Sequence, residues 1–231
     1  IMVARGDLGI ETGVENLPLY QQQMIDMCHR YGKGVIMATQ MMYSMKNSIR
    51  PTNAEVTDVS HAVIAGCDAI MTSDETTIGN YPVETIQTMT TICESVEKIT
   101  KYNLDDYKLT GTEIHNTIAK CAVAASQDLP IKAIVASTLT GRTALDISSL
   151  RPNSFIIATT TDEQVAHRLA LKWGVYTKIV PMYSDTDDIV KNGVLAAKEV
   201  LNLGKEDLVC VVGGFPQDAH TNFLKIQETE N

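Results

Sequence analysis

The 231-residue sequence has no apolar run long enough to cross a bilayer, about 18 residues, and no signal-peptide pattern occurs in it, so no membrane partner is expected. Positive charge is scarce: 19 Lys and Arg against 28 Asp and Glu leave a net charge of −9, which argues against a nucleic-acid partner. There is no block of like charges, no internal repeat and no low-complexity tract. The five cysteines, Cys28, Cys67, Cys93, Cys121 and Cys210, are odd in number, widely spaced and set in apolar runs, which is neither a disulfide framework nor a metal pattern. They read as buried thiols of a reducing compartment, and a cytoplasmic protein is expected. The five histidines are also scattered without ligand spacing and read as packing or surface residues. The chain opens on Ile1 inside an apolar pattern, without Met or a polar lead, and is expected to be a piece of something longer.

What the sequence does have is 44% hydrophobic content, enough for one or two cores, in short apolar runs that alternate with helical periods. That alternation is the pattern of parallel β-α units, and three are expected over residues 1–103. The first has a strand at 1–4 and a helix with Leu17, Tyr20, Met24, Met27 or Cys28, and Tyr31 on one face. The second has a strand at 35–39 and a helix near 54–65 carrying Val56, Val59 and Val63, with Pro51 and Thr52 suited to its start. The third has a strand at 69–72, a polar loop at 73–79, and a helix after Pro82 carrying Ile86, Met89, Cys93, Val96 and Ile99.

All three loops then sit at strand C-termini, where parallel α/β folds build ligand sites, so Asp7, Thr39, Ser73 and Glu75 share one rim. Residues 3–11, VARGDLGIE, read as a strand breaking into a loop that holds a carboxylate between two glycines. Gly6 and Gly9 allow unusual backbone angles and close approach, so Asp7 is presented beside bare amides. The carboxylate suits a divalent metal and the amides an anion, although a solvated strand-to-helix loop fits the same residues. Together with Thr39 and the Ser73, Asp74, Glu75, Thr76 cluster, the set points to metal-assisted chemistry on an anionic substrate. Three units cannot close a TIM (β/α) barrel, and the missing partner is expected upstream.

Residues 104–112 are polar and aperiodic and read as a linker. Residues 113–231 form a second module, a small α/β sandwich of about five strands with a mostly parallel sheet. Its first helix is expected to bury Ile114, Ile118, Cys121, Ala122 and Ala125, and a later one to close at Gly204. Asp185, Asp187 and Asp188 suit the first turn of that later helix. Trp173 reads as a domain-contact anchor.

The stretches VARGDLG at 3–9, ATQM at 38–41, RPTNAE at 50–55 with Asp58 after it, and SDETTIGNYPVE at 73–84 resemble pyruvate kinase in order and spacing. TGRT at 140–143 and LRP at 150–152 extend the likeness more loosely. The resemblance implies the last three units of a TIM barrel followed by a C-terminal regulatory domain. It implies phosphoryl transfer from phosphoenolpyruvate to ADP, giving pyruvate and ATP, with Mg2+ (or Mn2+) and K+, in a homotetramer. Asp7 would be one of two carboxylate ligands of the divalent metal. Gly6 and the Asp7 amide would hold the substrate carboxylate, and Thr39 would sit beside it near the carbon that is protonated, with Ser73 and Glu75 also binding substrate. Arg5 and Glu11 would brace that loop and the neighbouring subunit. The lysine that neutralises the phosphoryl group, the second metal-binding glutamate, and the K+ and most nucleotide contacts would lie upstream. The chain alone is therefore expected to be inactive.

The family's third rim loop usually reads Met-Leu-Ser-Gly-Glu-Thr-Ala where residues 71–77 here read MTSDETT, so that Asp74 stands where the family has glycine. In the second module Thr138, Thr140, Gly141, Arg142 and Thr143 suit a phosphate, and in the family the matching loop binds a phosphorylated allosteric effector. Alternatively Thr140 and Thr143 cap a helix while Arg142 pairs with an acid. Asp218 would repel a second phosphate, which leaves a monophosphate, or no effector, open. Two other functions compete: a metal-enolate TIM-barrel aldolase or lyase, and a non-catalytic phosphate-binding or oligomerising module.

Overall fold

A computed structural model of the chain describes residues 1–100, 102, 114–216 and 220–229. The expected linker and Asp218 lie outside these residues. The chain divides into two compact units, Ile1–Lys101 and Tyr102–Asn231.

In the first unit three short apolar strands, β1 (Met2–Ala4), β2 (Ile36–Ala38) and β3 (Ala69–Met71), form a parallel sheet in that order. The helices are α1 (Arg5–Thr12), α2 (Leu17–Arg30), α3 (Asn53–Ile64), α4 (Asp74–Thr77) and α5 (Pro82–Glu97). The register pairs Ala4 with Ala38 and Ala38 with Met71, so all three strands end in one row. Whatever follows each strand therefore leaves from the same rim.

The start of α3 is set by sequence: the Thr52 hydroxyl accepts the Glu55 N–H at 3.3 Å and the Glu55 carboxylate accepts the Thr52 N–H at 2.8 Å. This reciprocal capping box satisfies two otherwise orphan amides. Val3, Ile25, Met37, Met41, Met42, Met45 and Val59 fill the core, the flexible methionines taking up its irregular spaces.

Three expectations are corrected here. The stretch after β1 is not a loop: α1 begins at Arg5, and Gly6 and Gly9 lie within it rather than at positive φ. The face of α2 is partly turned: Cys28 is buried and Met24 packs on the core as expected, but Gln21 and Ile25 are buried with them while Tyr20, Met27 and Tyr31 stand exposed. In α5 Thr85 and Met89 are buried, whereas Ile86 and Ile99 are exposed and Ile99 lies beyond the helix. In both helices the packed stripe includes a polar residue, which the apolar period passes over.

The second unit has five strands, β4 (Ile131–Ser137), β5 (Phe155–Thr160), β6 (Val175–Ile179), β7 (Leu208–Gly213) and β8 (Phe223–Glu228). Their order is β6-β5-β4-β7-β8, parallel except for the antiparallel β7–β8 pair. The sheet carries α6 (Ile114–Asp128), α7 (Arg142–Ser149), α8 (Glu163–Leu169) and α9 (Thr186–Leu201). One cluster packs Ala119, Val123, Ala144, Ile147, Val165 and Leu169 against Ile134, Ile156 and Val212. A second packs Val190, Val194 and Ala197 of α9 against Val135, Ile157 and Val211. Both faces of the sheet are thus covered, which is why its central strands read as unbroken apolar runs.

The α6 face also differs from expectation, burying His115, Asn116, Ala119, Ala122, Val123 and Ser126 and leaving Ile114 and Cys121 exposed. Asp185 caps α9 by accepting the Asp188 N–H at 2.8 Å, and Asn202 at φ +52° ends the helix before Gly204 is reached. Trp173 packs within its own unit, with the Arg151 guanidinium 4.8 Å from its ring centroid and Tyr102 edge-on at 6.1 Å. Among the described residues no helix is long and apolar enough to cross a membrane.

Candidate functional site

The rim of the first unit is drawn together by Arg5. This buried side chain donates from Nε and Nη2 to the Thr39 carbonyl at 3.1 and 2.6 Å, and from Nη1 to both Asp58 carboxylate oxygens at 2.7 Å. One guanidinium therefore links the start of α1, the end of β2 and the middle of α3. A planar fork that cannot lose its charge suits that task.

Thr39 and Gln40, just after β2, sit at φ +68° and +56°. The left-handed region costs a β-branched residue roughly 1–2 kcal/mol, and such strain persists only where the surroundings hold it. Here the hold is visible. Arg5 takes the Thr39 carbonyl, and the Gly6 N–H, in the first turn of α1, donates to Thr39 Oγ1 at 3.2 Å. Because that oxygen accepts from Gly6, the hydroxyl's own proton is left to point elsewhere.

Asp7 follows Gly6 in the first turn of α1, where the helix dipole favours a negative charge, and it is exposed. Arg5, Gly6 and Thr39 are thus in contact, with Asp7 adjacent. Glu11 is exposed and makes none of these contacts; Arg5 braces the rim through Asp58 instead.

Ser73 and Glu75 follow β3 on the same rim but are held separately. Glu75 is 1% exposed and accepts the Ser73 N–H at 2.7 Å, so its carboxylate shapes its own loop. No hydrogen bond joins either residue to Thr39 or Asp7 among the described residues. Asp74 accepts from Lys46 Nζ at 2.9 Å, and that hydrogen bond holds the lysine above its ordinary range.

No group of three His, Cys, Asp or Glu residues that could hold a metal occurs among the described residues. Magnesium commonly keeps several waters and takes one or two carboxylates plus substrate oxygens. Asp7 therefore fits as one ligand of such an ion and not as a whole site.

In the second unit Thr138, Thr140, Arg142 and Thr143 line a cavity of about 340 Å³ at the N-terminus of α7. Gly141, at φ +92°, precedes the helix and donates its N–H to the Thr138 hydroxyl at 2.8 Å. Thr143 shares a 2.6 Å hydrogen bond with Thr221, and Arg142 donates to Asp146 at 2.9 Å. The alternative pairing of Arg142 with an acid is therefore present, while neither Thr140 nor Thr143 caps the helix.

The segment 213–220, which carries Asp218, supplies Gly214 and His220 to the lining, whereas sequence reasoning missed His115, Tyr183 and Thr221. His115 lies 3.8 Å from Asp146, and its ring centroid 5.9 Å from that of His220. Burial pushes the Tyr183 phenol up from its ordinary value. Residues so far apart in sequence leave no spacing signal.

A family model described as the pyruvate kinase barrel domain matches residues 1–86, and one described as the pyruvate kinase alpha/beta domain matches residues 116–227. The pyruvate kinase of Clostridium acetobutylicum is 40% identical over 237 residues, taking in 100% of this chain and 50% of its own length. That of Staphylococcus haemolyticus is 41% identical over 231 residues, or 98% of this chain and 39% of its own. A solved structure of a pyruvate kinase from Cryptosporidium parvum matches with a TM-score of 0.90 at 35% identity, over 99% of this chain and 46% of that one. The chain thus spans half or less of the length of these relatives.

Proposed function

Because the chain belongs to the pyruvate kinase family, we propose that the protein it comes from transfers the phosphoryl group of phosphoenolpyruvate to ADP, and that this chain supplies part of the active site. Residues 1–103 would be the last three units of the barrel and residues 113–231 the C-terminal regulatory domain. The single observation that carries the reading is the Arg5, Gly6 and Thr39 contact set, which holds a strained threonine against the N-terminus of α1 one residue from Asp7.

Phosphoryl transfer asks for positioning and charge neutralisation more than covalent chemistry. The first-turn amides of α1 and its dipole suit the substrate carboxylate. Asp7 would hold Mg2+ (or Mn2+) together with ligands from elsewhere; bound there, the ion would neutralise charge on the phosphoryl group and the enolate. A K+ site would lie mostly outside this chain. Thr39 is a poor acid near neutral pH, so it would orient an ordered water for protonation of the enolate carbon rather than give up its own proton. Glu11, exposed on α1, remains a candidate contact to a neighbouring subunit of a cytoplasmic homotetramer.

The α7 cavity would take the phosphate of an allosteric effector. What supports this is the cluster of threonine hydroxyls and one half-exposed guanidinium at a helix N-terminus, with two histidines beside it.

The test is a coupled pyruvate assay on the protein carried to the full length of its relatives. Turnover dependent on phosphoenolpyruvate, ADP and Mg2+ is expected, with at least a hundredfold loss in Asp7→Ala, on the order of 2.7 kcal/mol or more. No turnover in the unsubstituted protein overturns the reading.

A further inference from the structure

A single residue of the turn after β2 brackets the loop after β3 at both ends. Lys46 Nζ donates to Asp74 Oδ2 at 2.9 Å, and the Lys46 carbonyl accepts the Asn80 N–H, also at 2.9 Å. Asp74 opens α4 and Asn80 lies just beyond its end. The loop between is bonded to itself: Glu75 accepts the Ser73 N–H, the Thr77 hydroxyl donates to the Ser73 carbonyl at 2.9 Å, and the Thr72 and Thr76 hydroxyls share a 3.0 Å bond. Gly79 closes it so tightly that a Cβ would come within 2.3 Å of the Glu75 carbonyl oxygen.

The same turn also reaches α3, because the Ser44 N–H and hydroxyl donate to Glu55, the residue that completes the capping box. Residues 44–46 thus couple the second rim loop to the third. Only one of these ties is an ion pair, and its acid, Asp74, stands where the family has glycine. A glycine at that position would leave Lys46 without an acceptor there and the loop without its first anchor.

We propose that Lys46 and Asp74 are positioning residues, an ion pair that fixes Ser73 and Glu75 on the rim. They act through the loop and touch neither substrate. The proposal rests on the reading above, in which this rim binds phosphoenolpyruvate and ADP. The two side chains are 24% and 45% exposed, so the pair has the strength of a partly solvated ion pair, and effects of about two- to fivefold are expected.

The experiment uses the full-length protein and measures kcat and KM for both substrates, with thermal melts as a control. The variants are Lys46→Met, Asp74→Asn, the double variant, Lys46→Arg and Asp74→Gly. Each of Lys46→Met and Asp74→Asn should raise KM for at least one substrate about two- to fivefold with kcat held, the pattern of lost substrate binding. The double variant should be no worse than either single, Lys46→Arg should stay near wild type, and Asp74→Gly should be at least as impaired as Asp74→Asn. Salt near 1 M, where screening acts over about 3 Å, should weaken binding of the anionic substrates in every protein but bring the ratio of variant to unsubstituted KM toward one. Additive effects of the two singles, or melting shifts with both KM values unchanged, overturn the proposal. Absence of turnover in the unsubstituted protein defeats the functional reading instead, and is recognised because it appears before any substitution is made.

Discussion

The two units of this chain bury parallel sheets to very different depths. In the second, β4 and β7 are almost wholly buried, and helices cover both faces of a five-stranded sheet. In the first, the strands are three residues long, every residue of β3 is only half-buried, and Ile10, Ile64, Ile78 and Ile99 are more than half exposed. A sheet left open at its edges gains less from burial, so the first unit depends more on specific polar ties. Thr39, the candidate catalytic residue, is held by such ties from Arg5 and Gly6. In the second unit a complete core instead carries the cavity at α7 as one local feature.

The largest expected consequence is in hydrogen exchange. Amides of β4 and β7 should exchange on the order of a thousandfold more slowly than those of β1 to β3 in the same chain. Equal protection would mean that the two sheets are equally stable.

Core truncations should differ in the same direction. Ile134→Ala in β4, at a fully buried position, should cost about 2–5 kcal/mol by urea unfolding, whereas Ile70→Ala in half-exposed β3 should cost about 1 kcal/mol. Matching costs would place the two sheets on the same footing.

A third expectation concerns the ties themselves. Arg5→Met leaves Asp58 and the Thr39 carbonyl without their donor and should cost about 1–3 kcal/mol, less than a fully buried pair because the Asp58 side chain is 32% exposed. Thr39→Gly relieves the positive φ but loses a hydrogen bond, so its stability should change by less than about 1 kcal/mol while turnover of the full-length protein falls at least tenfold. A large stability loss in Thr39→Gly would mean that the residue is structural.

The smallest effect is pH-dependent and should appear in both units. Burial raises the Glu55 pKa, but hydrogen bonds from Ser44 and Thr52 outweigh it and hold the group below its ordinary value. In the second unit hydrogen bonds from Ser184 likewise lower Asp188 at the start of α9. A carboxylate lowered in the folded state contributes stability that is full above its unfolded pKa and lost as pH falls through the folded one. Carboxyl NMR titrations should therefore place both below free glutamate and aspartate, with the α3 cap loosening under acid and Glu55→Gln removing that dependence. An upward shift for either residue would reverse the sign.

Much of this organisation was legible in the sequence. Pro51 and Thr52 mark the start of α3, and the apolar runs give the parallel strands whose common ends place Asp7, Thr39, Ser73 and Glu75 on one rim. Other features were not legible. Gln21, His115 and Asn116 lie in buried stripes that an apolar period cannot find. A threonine at positive φ contradicts the preference of its own side chain, and only Arg5 and Gly6, more than thirty residues away, explain it. The glycines around Asp7 suggested a loop, but a helix that starts at Arg5 presents the same amides. Lys46 with Asp74 and His115 with Asp146 likewise become partners only when the chain folds.

The most direct test of the central claim, that this chain holds one part of a pyruvate kinase site, is pyruvate formation from phosphoenolpyruvate and ADP. The 231-residue chain would be assayed beside the same protein carried to the full length of its relatives. The account predicts turnover from the longer protein and none above background from the shorter chain. Turnover by the 231-residue chain, or by neither, would contradict it.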